Sequence, residues 1–147
     1  MTKKDGDEQN RNSPGTVLDE EGYKSALISP SDRVQSPAGV LVKAKVDREH
    51  WIGAGLPETV HVIANSNTII PPLNMEQGQN PVLFESPERL VASGYMWRET
   101  GRQMAYKPFV LVEPYGEGAA VAFTQDPNFR AQMDGLNLLL INAVFKA

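Results

Sequence analysis

The chain contains no cysteine and only two histidines in 147 residues. Without thiols there are no disulfides, no thiolate metal sites and no cysteine-nucleophile triad. The two histidines, His50 and His61, leave little for a histidine-based metal site. Zinc sites use His pairs, or His with Glu or Asp, at short helical or strand spacing. His50 is followed by Trp, Ile and Gly, and His61 by Val, Ile and Ala, so neither opens a His-x-x-Glu pair. No metal ligand set is therefore assigned. No apolar run approaches the roughly 18 residues that a membrane span needs. The opening residues Met1-Thr-Lys-Lys-Asp-Gly-Asp-Glu hold no apolar h-region, so no signal peptide is expected in them. Lys and Arg do not cluster, and the net charge is -4. Nucleic acid is not an expected partner, because polyanion binding rests on clustered positive charge.

What is present suffices for one packed domain. Apolar residues make up 41% of the chain, and a chain of this length buries roughly two-thirds of its unfolded surface. Residues 1–38 read as a polar arm: 1–16 hold almost nothing apolar, and order there is not repaid by burial. A short helix is expected over Glu20–Ile28, followed by Ser29-Pro30 and Ser36-Pro37 as loop punctuation. The compact part is expected over 39–147. Val40–Val46 is β-branched and alternating, Val60–Ala64 is a second short strand, and Thr68–Ile70 resumes extended structure. Pro81–Glu85 and Leu90–Tyr95 follow as short strands, and Trp97–Ala105 has helical composition. Phe109–Val112 and Ala119–Phe123 are the clearest strands, joined through Tyr115-Gly116-Glu117-Gly118, which supplies the positive φ of a hairpin. Asp134 is the expected N-cap of a final helix whose buried stripe is Leu136, Leu139, Leu140, Ala143 and Val144. Leu138, Ile141 and Phe145 widen that stripe, which predicts cover on more than one side.

Asp126 is the most suggestive acid. It follows a strand, where α/β folds place functional groups beyond the carboxyl end, and Arg130 lies four residues on. Together they read either as a ligand-binding pair for a carboxylate or sugar, or as an ion pair or cap that fixes the loop. The second is the simpler reading, because a binding site needs several convergent polar groups. Ser93, His61 and Asp126 make a triad only on paper, since Ser93-Gly94 lacks the G-x-S-x-G elbow. Gly116-x-Gly118 lacks the third glycine and following helix of a dinucleotide site. Glu85, Glu88 and Glu99 show no glycosidase pairing. Tyr95, Trp97, Tyr106, Phe109 and Tyr115 read as core and rim of a sheet rather than as a groove lining. No catalytic residue is assigned.

Several segments carry a family likeness. They are Val46-Asp47 with His50-Trp51 and Gly55-Leu56-Pro57, then Ala92–Trp97, then Lys107-Pro108-Phe109. The Gly116-x-Gly118 hairpin, Asp126-Pro127-Asn128-Phe129-Arg130 and the ending Asp134-Gly135-Leu136 to Leu140-Ile141-Asn142-Ala143-Val144-Phe145 complete it. Over 39–147 the chain resembles the C-terminal glutamine-amidotransferase-like domain of large bacterial zinc carboxypeptidase-like proteins. A similar ending occurs in amidotransferase-like domains attached to glycosidases.

The resemblance implies an α/β class, α+β in isolation: a partial class I glutamine-amidotransferase-like domain of short strands with a C-terminal hairpin and helix. It implies a non-catalytic accessory domain whose parent is a zinc metallocarboxypeptidase. The alternative is a peptide- or glycan-binding module. Zinc is then expected in the parent peptidase domain and no cofactor in this chain. The implied partners are the parent peptidase domain and, by self-association, a second copy. The location is periplasmic or secreted if the parent is exported.

Overall fold

The computed structural model describes residues 35–146, and the arm over 1–34 with its expected helix lies outside the described residues. Residues 35–38, assigned to the arm by sequence, are held on the folded unit. Thr100 Oγ1 donates to the Gln35 carbonyl at 3.2 Å, Ser36 Oγ donates to the Asn65 carbonyl at 3.3 Å, and Pro37 is buried.

The first strand, β1, runs Val40–Val46. Its even-numbered residues Val40, Val42, Ala44 and Val46 are buried while Lys43 and Lys45 point to the other face, as the two-residue period of a strand requires. The chain then passes a one-turn 3-10 helix at Trp51–Gly53 into β2, Thr59–Ala64. After a long irregular segment come β3, Gln79–Phe84, and β4, Val91–Ser93. Helix α1, Arg98–Met104, leads into β5, Pro108–Tyr115, and β6, Gly118–Phe123. Two further 3-10 turns, Phe129–Ala131 and Asp134–Leu136, precede the last helix, α2, Asn137–Lys146.

The strands form one sheet in the order β2-β1-β3-β5-β6. Every pairing in it is antiparallel. β1 is the hub. One edge pairs with β2 from Val40↔Ala64 to Lys45↔Thr59. The other edge is shared, with β4 opposite its start at Leu41↔Ser93 and β3 opposite its end at Val46↔Val82. The class is α+β: a strand-rich antiparallel sheet with two short helices. No parallel strand pair occurs among the described residues, so a doubly wound arrangement is not what organises them.

The hydrophobic core lies on one face of the sheet. Phe109 sits at its centre, 6.0 Å from both Phe84 and Phe123 between ring centroids. Val42, Val62, Val82, Leu90, Met104 and Leu139 are fully buried around it. Each such side chain contributes about 1.5–3 kcal/mol of transfer free energy. The β5–β6 hairpin closes through Gly116 and Glu117, with Tyr115 opposite Gly118 and Gly116 at φ +59°. That is the positive φ expected there, at no steric cost to glycine.

The end of the chain departs from expectation in two ways. Asp134 does not cap the final helix. It opens a 3-10 turn after Met133, which makes no side-chain capping bond, and α2 begins only at Asn137. The stripe that α2 buries is also rotated. Leu136, Leu139 and Asn142 are buried, whereas Ile141, Val144 and Phe145 are 50%, 73% and 81% exposed. A polar residue decides this rotation. Asn142 Nδ2 donates to the carbonyls of Ile52 (2.9 Å) and Ala54 (3.0 Å), which fixes the helix on the Trp51–Gly53 turn. That turn accepts only glycine at 53, because a Cβ there would collide with the Asp47 carbonyl and approach Val46 Cγ1 to 2.8 Å.

Candidate functional site

The Asp126 loop is built for structure. Thr124 and Gln125, just after β6, are buried. Thr124 Oγ1 donates to the Pro108 carbonyl at 2.9 Å. Gln125 Oε1 accepts the backbone N–H groups of Asn65 (3.1 Å) and Ser66 (3.2 Å), and its Nε2 donates to Ser66 Oγ at 3.1 Å. One glutamine thus satisfies the turn that follows β2, since buried backbone groups need partners. Asp126 points to solvent and accepts the Asn128 N–H at 2.8 Å, an Asx turn opening the loop.

Arg130 is exposed as well, with its guanidinium 5.2 Å from the centroid of the Phe129 ring. Among the described residues Asp126 and Arg130 form no ion pair; the bridges present are Lys45–Glu58, Arg89–Glu85 and Arg102–Glu99. Arg130 and Ala131 both adopt positive φ, +50° and +54°, so residues 126–130 do not form the regular helical turn that would set side chains four apart on one face.

The histidines are also accounted for. His50 Nδ1 accepts the Ile52 N–H at 3.2 Å, and Nε2 lies 2.7 Å from Gln79 Oε1. An Nδ1 that accepts places the proton on Nε2, which then donates to Gln79. His61 is exposed on β2 opposite Lys43. Among the described residues no three His, Asp or Glu side chains converge to hold a metal ion. Ser93, His61 and Asp126 lie on separate segments, with no hydrogen bond linking any two of them among the described residues.

The concavity with a designed wall lies elsewhere, along the ends of β1 and β3. A groove of about 580 Å³ has an apolar floor of Val46, Pro81, Leu83 and Phe84. Its rim carries Lys45, Asp47, Arg48, Glu49, Glu58 and Glu85. Lys45 pairs with Glu58 at 3.6 Å, and Glu85 with Arg89 at 3.6 Å. Both signs alternate on the rim, so the groove has no preference for a polyanion. A second hollow of about 270 Å³ adjoins it, sharing Asp47, Asn80 and Pro81 and reaching His50.

Tyr106 walls the groove and is 63% exposed. It stands just after α1 at φ +61°, where the Lys107 N–H returns to the Met104 carbonyl. A left-handed residue after a helix is ordinarily glycine. A bulky side chain there costs about 1–2 kcal/mol of backbone strain, and such strain clusters at functional positions. Sequence reading placed Tyr106 among sheet aromatics. Nothing in its sequence context marks a positive φ. Of that aromatic group, Phe109 is core, while Tyr95, Trp97 and Tyr115 are exposed and Tyr95 stacks edge-on against Trp97 at 5.3 Å.

No protein-family model, curated protein or solved structure matches this chain. Among the described residues no helix is long and apolar enough to cross a membrane.

Proposed function

We propose that this chain is a non-catalytic accessory domain, the amidotransferase-like C-terminal part of a bacterial zinc carboxypeptidase-like protein, and that it works by docking against the peptidase body. The observation that supports this reading is the bare apolar face of α2. Ile141, Val144 and Phe145 point outward from a helix that Asn142 and Leu139 lock in place. Apolar patches of this kind mark interaction surfaces, and this one lies within the terminal block that carries the family likeness. Zinc belongs, on this reading, to the peptidase body.

The test pairs an assay with a titration. Purified chain with added zinc is expected to release no C-terminal residues from peptides. It is expected to bind the isolated peptidase domain of such a protein, and Val144→Asp with Phe145→Asp should abolish that binding while leaving the melting temperature unchanged. Zinc-dependent turnover by the chain itself would overturn the proposal, as would binding indifferent to both substitutions.

A second reading, a peptide-binding module, is favoured by Tyr106. Its strained backbone presents an aromatic wall to a groove with an apolar floor and a rim of both charges, which suits an extended peptide. Tyr106→Gly relieves the strain and removes the wall. On this reading the variant is as stable as the parent or more so, yet no longer retains a peptide library on a column. Equal retention by both proteins would sink it.

A further inference from the structure

We infer that two copies of this chain associate by antiparallel pairing of β6 with β6, which extends the sheet across a two-fold axis at Val121. The proposal is independent of the α2 face and of the groove.

Among the described residues β6 is the last strand of the sheet and pairs with β5 alone. Thr124 N donates to the Phe109 carbonyl at 3.0 Å, and the register continues without a bulge to Tyr115↔Gly118. In an antiparallel ladder, alternate residues address alternate neighbours. Residues 118, 120, 122 and 124 therefore spend their backbone groups on β5. Ala119, Val121 and Phe123 direct their N–H and C=O groups to the open edge.

Natural edge strands are protected by charge, proline, bulges or cover. The opposite edge strand, β2, carries Thr59 and His61 and is flanked by the turn that includes Gly135 and Leu136. β6 reads Gly-Ala-Ala-Val-Ala-Phe and carries no charge, proline or bulge.

The occupant follows from the strand itself. A two-fold axis perpendicular to the sheet keeps both cores on one side only if Cα partners share the same face. Centred on Val121, the pairing sets Val121 against Val121 of the copy, Ala119 against Phe123, and Ala120 against Ala122. This register engages all three residues whose backbone groups face away from β5, and shifting it by two leaves one of them without an opposite number. The core face benefits directly. Ala119, Val121 and Phe123 pack on the core yet remain only partly buried, and the copy's strand covers them, with a small residue opposite the large ring. On the outer face alanine meets alanine, with no charge set against its like. A second copy is thus complementary in backbone, shape and charge.

The experiment is sedimentation equilibrium of the full chain over a wide concentration range, combined with residue-resolved hydrogen exchange. The wild type is expected to form a concentration-dependent dimer. Ala120→Lys with Ala122→Lys sets lysines opposite one another on the exposed face and should weaken association about tenfold or more. Ala120→Lys with Ala122→Glu sets opposite charges together in the same register and should restore it. Within the wild type, the amides of Ala119, Val121 and Phe123 should gain protection on dimerisation while those of Ala120 and Ala122 stay protected throughout, a readout that does not depend on any variant folding. A wild type that stays monomeric would overturn the proposal. So would a dimer untouched by the paired lysines, or one in which those three amides exchange freely.

Discussion

Asn142 is the polar residue on which the seating of the final helix turns, and replacing it by leucine tests that directly. Its side chain is 3% exposed and donates to the carbonyls of Ile52 at 2.9 Å and Ala54 at 3.0 Å. Neither carbonyl has another partner among the described residues. Leucine has the same branching but is bulkier, so no cavity opens and the lost polar contacts are joined by some crowding at this buried site. Losing two hydrogen bonds costs about 1 kcal/mol each, and a carbonyl left buried and unpaired costs about 1–3 kcal/mol. Added apolar burial offsets part of this. The net expectation is a loss of about 2–4 kcal/mol, or a fall in melting temperature of roughly 10 °C for a domain of this size.

Thermal unfolding followed by circular dichroism measures the total. Hydrogen exchange localises it, and the Ala54 amide, which bonds to the Trp51 carbonyl at 3.3 Å, should exchange faster as the turn loosens. A melting temperature within about 2 °C of the parent, with Ala54 still protected, would refute the argument that these two bonds seat the helix.

Three further outcomes follow from the same geometry. Gln125→Ala should cost about 2 kcal/mol and raise exchange at the Asn65 and Ser66 amides, which lose their acceptor; unchanged exchange at both would contradict the role given to that side chain. Ala131→Gly should raise stability by up to about 1 kcal/mol, because glycine relieves a positive φ at the cost of some unfolded-state entropy, and a lower melting temperature would show that no strain resides there. Arg130→Ala should stay within about 0.5 kcal/mol of the parent, since the side chain is exposed and forms no ion pair among the described residues; a large drop in the melting temperature would restore it to a structural role.

Local pattern carried well where one physical cause acts alone. The alternation of Val40–Val46 gave a strand because a two-residue period matches one buried face. Tyr115-Gly116-Glu117-Gly118 gave a hairpin because only glycine takes the required φ cheaply. Helix α1 and the strands around Val82 and Val121 were legible for similar reasons. Residues that act through distant partners were not legible. Gln125 and Asn142 look like surface amides in sequence, yet each is buried because backbone groups 57–60 and 88–90 residues away need donors or acceptors. Asp126 and Arg130 form no ion pair among the described residues, and the left-handed backbone at Arg130 and Ala131 has no mark in the local sequence. Asp134 lost its capping role because a 3-10 turn precedes the helix.

The sequence by itself determined which segments are strands, where the last hairpin turns, and that no thiol chemistry is available. Those properties depend on side-chain type and nearest neighbours. Only the tertiary structure decided that the sheet is antiparallel around β1, that α2 buries an asparagine while baring Val144 and Phe145, that Tyr106 walls a groove, and that β6 ends the sheet among the described residues. Each of these depends on which backbone groups and apolar faces remain unsatisfied once distant segments meet, a sum over the whole fold that no local pattern contains.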